Sequence, residues 1–136
     1  MKTVFLDTNV VVDLLQKREG FYQYSAQIFS LGFENKLQLF VSPITFSTAS
    51  YLLRKLGTEA IKNVLKDLRL IVDVVEMDYD VIDNSLISNF NDIEDAMQYY
   101  CAKKCHADVI VTRNIKDFSE SEINVLSPDA FLAEYE

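Results

Sequence analysis

Thr3-Val4-Phe5-Leu6-Asp7-Thr8-Asn9 is a short apolar run that ends in a carboxylate, a hydroxyl and an amide. The run reads as a buried strand, and a buried strand has no structural use for the charge of Asp7, so chemistry is the better reason for it. In open α/β sheets, ligands gather at the carboxyl ends of the strands, which is where this triplet falls. Apolar runs at 37–41, 70–75, 108–112 and 123–126 supply four more strands. Several are continuous rather than alternating, as strands buried on both faces tend to be.

Between the strands lie segments with helical spacing. Residues 8–18 place Val11, Leu14 and Leu15 on one side, and residues 21–33 do the same with Tyr24, Ile28 and Leu31. Segments 44–56 and 59–69 read as a helical pair broken at Gly57-Thr58, Gly as a stop and Thr as a new N-cap. Helices are also expected near 79–88 and 92–105, with a last one opening at Ser127-Pro128. The order β-α-α-β-α-α-β-α-α-β-β-α predicts an α/β fold, a central parallel sheet flanked by helices in three layers. No linker or repeat interrupts it, so a single domain over residues 1–136 is expected.

A net charge of −8 argues against a broad non-specific duplex-binding surface. Its distribution is uneven. Arg54, Lys55, Lys62, Lys66 and Arg69 cluster within 50–72, whereas 73–95 holds Asp73, Glu76, Asp78, Asp80, Asp83, Asp92, Glu94 and Asp95 with no base. A basic patch beside an acidic cluster suits a polyanion and a bridging cation. No apolar stretch is long enough for a membrane span and MKTVFLD has no secretory pattern, so a cytoplasmic protein without membrane contact is expected. Cys101, Cys105 and His106 lack a fourth ligand for zinc, and free thiols are the better reading.

Asn91-Asp92-Ile93-Glu94-Asp95 opens the helix toward Cys105. Acids there complement the helix dipole and Asp92 suits a cap, but Asp95 lies one turn in and is placed to face Asp7. Converging carboxylates repel one another, and a hard cation such as Mg²⁺ or Mn²⁺ relieves that without any His ligand. The third polar segment, Thr112-Arg113-Asn114-Ile115-Lys116-Asp117-Phe118, empties from a strand expected beside the first. Thr112, Asn114 and Asp117 offer oxygens there, and Arg113 or Lys116 a phosphate contact.

In this order, Asp7-Thr8-Asn9, Asp95 followed seven residues later by Ala102, the Thr112–Phe118 turn and Leu126-Ser127-Pro128 resemble a PIN domain, the fold of the VapC-type toxin ribonucleases. The resemblance implies Mg²⁺- or Mn²⁺-dependent hydrolysis of RNA that leaves a 3′-hydroxyl and a 5′-phosphate. It implies Asp7, Asp95 and Asp117 as catalytic metal ligands, with Asn114 competing for the last place and Asp92 contributing through water. Thr8, Asn9, Thr48, Thr112 and Asn114 would support them. Arg54, Lys55, Lys62 and Arg113 would meet RNA, and an antitoxin protein and a homodimer are the partners the resemblance suggests. The pattern is broken at Thr48, where an acid is usual. A catalytically degenerate module that binds RNA or protein is therefore the alternative. A haloacid-dehalogenase phosphatase would need a second Asp where Asn9 stands.

Overall fold

The computed structural model describes residues 1–135. Its strands are β1 (Lys2–Leu6), β2 (Leu37–Val41), β3 (Val72–Val74), β4 (Val109–Val111) and β5 (Asn124–Leu126). Its helices are α1 (Thr8–Leu15), α2 (Tyr22–Phe33), α3 (Pro43–Leu52), α4 (Thr58–Ile71), α5 (Tyr79–Ile87), α6 (Ile93–Lys104) and α7 (Pro128–Tyr135). All five strands are parallel in the order β3-β2-β1-β4-β5. The chain moves outward from β1 through β2 to β3, then returns to the other side of β1 for β4. That reversal puts the switch point of the sheet between the carboxyl ends of β1 and β4, where open α/β sheets build their sites.

Alternation along β1 divides the interior. Val4 and Leu6 join Ile28 and Phe29 of α2, Leu68 of α4 and Phe131 of α7 on one face of the sheet. Phe5 and Ile110 join Val81 of α5 and Tyr99, Cys101 and Ala102 of α6 on the other. This is the three-layer α/β arrangement expected from the sequence, with both faces of the sheet covered.

Local chemistry sets the boundaries. The expected strand at 70–75 begins later because Leu65, Leu68 and Ile71 continue the apolar stripe of α4, which carries the helix to Ile71 and leaves Leu70 exposed. Gly57, at φ 87°, is the cap of α4, and the Thr58 side chain makes no capping bond. The segment 44–56 is helical only to Leu52 and then tightens into a 3₁₀ turn, Arg54–Leu56.

One glycine is fixed by close approach rather than by backbone angle. A Cβ on Gly32 of α2 would press into the Leu39 side chain, meeting Cγ at 2.9 Å, and Leu39 is core. Gly32→Ala is expected to cost about 1–3 kcal/mol through overpacking, read as a lower urea midpoint with an unchanged slope.

Candidate active site

Asp7 follows β1 directly, and its backbone N–H donates to Val111 O at 3.0 Å, which binds it to the end of β4. Its carboxylate is the N-cap of α1 and nearly fully buried. Oδ1 accepts from the Thr8 backbone N–H at 2.8 Å and from Gln98 Nε2 at 3.1 Å. Oδ2 accepts from the Thr112 hydroxyl at 2.8 Å and from Asn9 Nδ2 at 3.3 Å. Four donors fill the acceptor capacity of a carboxylate. Burial still raises the Asp7 pKa, since the bonds from Thr112, Gln98 and Thr8 offset only part of the desolvation and the charge of Asp117 adds to it.

Asp95 stands in the first turn of α6 and is half-buried. Burial first, then the charges of Asp7, Asp92, Asp117 and Glu94, raise its pKa to about 7, and nothing among these influences lowers it. Glu94 is raised as well, by burial and by Asp92 and Asp7. Five acids from β1, α6 and the turn after β4 therefore share one field.

Asp92 caps α6, accepting from the backbone N–H groups of Glu94 at 2.8 Å and Asp95 at 3.2 Å. Asp117 is exposed on the 3₁₀ turn Ile115–Phe118. Asn114 precedes that turn; its backbone N–H donates to Thr112 Oγ1 at 3.0 Å, and its exposed side chain makes no hydrogen bond among the described residues.

Among the described residues no three His, Cys, Asp or Glu side chains form a preassembled metal cage. The donors nevertheless fit a hard dication in chemistry and charge: all are oxygens and they repel one another. Mg²⁺ keeps several of its waters and needs only one or two direct carboxylates, so a shared field is sufficient.

Two of the expected site residues are engaged elsewhere or, among the described residues, not at all. Arg113 does not reach toward the acids; its guanidinium grips the fully buried Asp13 of α1 with a bond of 2.7 Å from Nε and one of 3.1 Å from Nη2, and stacks 4.2 Å from the Phe21 ring centroid. A buried carboxylate needs a matched cation, and the planar guanidinium supplies it. Thr48 makes no side-chain hydrogen bond among the described residues, whereas Thr45, one turn earlier on α3, meets the Thr8 hydroxyl at 2.9 Å.

Of the basic residues expected to meet RNA, Lys55 is exposed and Lys62 lies 3.9 Å from Glu59 in an exposed pair. Arg54 stacks 4.2 Å from the Tyr51 ring centroid. The thiols are free, and burial pushes Cys101 up to about 12 and Cys105 up to about 11, so neither is a ready thiolate. Gln98, Ser42, Thr45 and Asp13 were not singled out in the sequence. Gln98 carried one usable signal, a polar side chain three residues after Asp95 among apolar positions of α6.

A family model described as PIN domain matches residues 3–116. The chain belongs to the PIN domain family. It is similar to Ribonuclease VapC1 of Aquifex aeolicus (strain VF5), 29% identical over 133 residues that cover 94% of this chain and 92% of that one. Its fold is similar to a toxin-antitoxin complex from Klebsiella pneumoniae, with TM-score 0.71, 21% identity and coverage of 92% and 97%. It also resembles VapBC2 from Rickettsia felis bound to a promoter DNA fragment, with TM-score 0.64, 18% identity and coverage of 92% and 97%. The five-stranded parallel sheet flanked by helices thus matches PIN domain structures. On α3 the buried Thr45 hydroxyl pairs with that of Thr8, and no acid lies between Pro43 and Leu52.

Proposed function

We propose that this chain is a divalent-metal-dependent endoribonuclease, the toxin of a toxin–antitoxin pair. The observation that carries the reading is the uncompensated acid field around Asp95, at the carboxyl ends of β1 and β4 in a PIN domain. The likeness to a ribonuclease supports RNA as the substrate, and the toxin-antitoxin complexes of similar fold are the reason to expect an antitoxin. The proposal takes the chain as a single domain that pairs as a homodimer in the cytoplasm. Among the described residues no helix is long and apolar enough to cross a membrane.

Asp7, Asp95 and Asp117 would hold Mg²⁺ or Mn²⁺, with Asp92 and Glu94 acting through water. When bound, the cation would lower the pKa of a water and offset the charge that builds on the phosphate oxygens. Asp7 is the rigid member, held by four donors, and Asp117 the exposed one, free to follow the substrate. Attack of water at phosphorus with loss of the 3′-oxygen leaves a 5′-phosphate and a 3′-hydroxyl. Thr112, Thr8 and Asn9 orient Asp7. The helical pair α3–α4, with Lys55 and Lys62 exposed, would guide the backbone of RNA. Arg54 would join them by stacking or charge.

The test is incubation with a pool of structured RNAs in Mn²⁺ and in EDTA, with new 5′-phosphate ends mapped. Cleavage in Mn²⁺ alone supports the proposal, and cleavage that persists in EDTA contradicts it. Lys55→Glu with Lys62→Glu is expected to weaken RNA affinity about tenfold at low salt, measured by filter binding, and to flatten its salt dependence. Thr48, standing where the resemblance expects an acid, favours one second reading, a non-catalytic module. Such a module would keep its RNA affinity in Asp95→Asn and cleave nothing.

A further inference from the structure

Gln98 is fully buried in α6 yet spends both ends of its amide on the site. Oε1 accepts from the Ser42 hydroxyl, while Nε2 donates to Asp7 Oδ1 at 3.1 Å and to Thr8 Oγ1 at 2.9 Å. The direction of the amide follows from the neighbours. Ser42 is the N-cap of α3, and its oxygen already accepts from the Ile44 backbone N–H at 3.2 Å, so its hydrogen is left to point at Gln98. Oε1 must then face Ser42 and the N–H groups must face Asp7, which accepts only.

The consequence falls on Asp7. Its Oδ1 is closed by two fixed donors, one from the first turn of α1 and one from Gln98. On Oδ2 the Thr112 bond is short at 2.8 Å, while the Asn9 bond is the longest of the four at 3.3 Å and the easiest to exchange. Asn9 has other engagements, with Thr112 Oγ1 at 3.4 Å and, through its own oxygen, with the Arg113 N–H at 3.3 Å, so it can give up Asp7 and stay anchored.

We infer that Gln98, aimed by Ser42, is a positioning residue that closes Oδ1 of Asp7 and leaves Oδ2 as the oxygen a divalent cation takes, in exchange for Asn9. The inference rests on the metal-dependent reading of the site. A relay Ser42–Gln98–Asp7 thereby connects the start of α3 to the carboxylate, and it orients the ligand without adding charge. A group that only filled space would leave metal affinity alone when replaced by an apolar side chain of similar size.

The test is calorimetric titration of Mn²⁺ into the metal-free chain and into Gln98→Met, Ser42→Ala and Asp95→Asn, each first shown to be folded by circular dichroism. Gln98→Met is expected to weaken Mn²⁺ binding about tenfold or more, as loss of a group that orients a ligand does. Ser42→Ala, which leaves the amide in place but unaimed, is expected to weaken it in the same direction by less, and it carries the test if Gln98→Met does not fold. Wild-type binding lost in Asp95→Asn but unchanged in Gln98→Met, or in Ser42→Ala where only that variant folds, overturns the role of Gln98 and leaves the metal reading standing. Absence of Mn²⁺ binding in the wild type overturns both.

Discussion

Asp95→Asn is expected to cut RNA cleavage on the order of 10³-fold and, at the same time, to stabilise the metal-free protein above neutral pH. The two effects have one origin. Asp95 is held among four other acids with its pKa raised to about 7, so its ionised form is strained until a cation arrives. In the unfolded chain its pKa returns to about 3.9, and that chain therefore gives up the proton first. The sign follows: between about pH 4 and about pH 7 the native state binds more protons than the unfolded one, and stability falls as pH rises, levelling off above about 7. Asp7 and Glu94, raised by burial first, lean the same way. Solvent screening at this half-buried position reduces the Asp95 contribution to about 1–2 kcal/mol.

Urea titrations across pH should show this loss in the wild type and a smaller one in Asp95→Asn. Mn²⁺ should restore the wild type at pH 8 and leave the variant unchanged, because a ligand stabilises only the state that binds it. Cleavage should fall on the order of 10³-fold, the scale of several kcal/mol of lost charge stabilisation. A variant that was less stable than the wild type at pH 8 and still cleaved RNA would contradict the acid-field account.

Arg113→Ala is expected to destabilise the fold by about 3–5 kcal/mol, toward the lower end because Arg18 remains 3.6 Å from Asp13. Removing the guanidinium leaves the fully buried Asp13, in the last turn of α1, with Arg18 alone. Arg113→Lys should rescue little, since an ammonium cannot supply both bonds of the fork or stack on Phe21. The urea midpoint measures this, and RNA affinity of the folded variant should stay at the wild-type level. Unchanged stability with weakened RNA binding would return Arg113 to the phosphate.

Asp7 stood out because a charge closing an apolar strand is costly, and Asp95 because Asp92 alone suffices to cap the helix whose first turn holds it. The strand and helix order was legible from periodicity, down to the polar turn after β4. The hydroxyl and amide partners were not. Thr45, Ser42 and Gln98 belong to segments up to 91 residues from Asp7 along the chain, and no local pattern records a hydrogen bond made across the sheet. The Arg113–Asp13 pair was hidden for a related reason. A polar turn beside candidate acids suggests a free cation, and only the packing of α1 against that turn reveals that Asp13 already holds it. The strand proposed at 70–75 shortened because the Leu65-Leu68-Ile71 stripe satisfied a helix before it satisfied a sheet.

The most direct measurement is calorimetric titration of Mn²⁺ into the metal-free wild type and Asp95→Asn at pH 8, where Asp95 is ionised. The account predicts saturable binding in the wild type that disappears in the variant. Binding of equal strength in both, or none in the wild type, would contradict it.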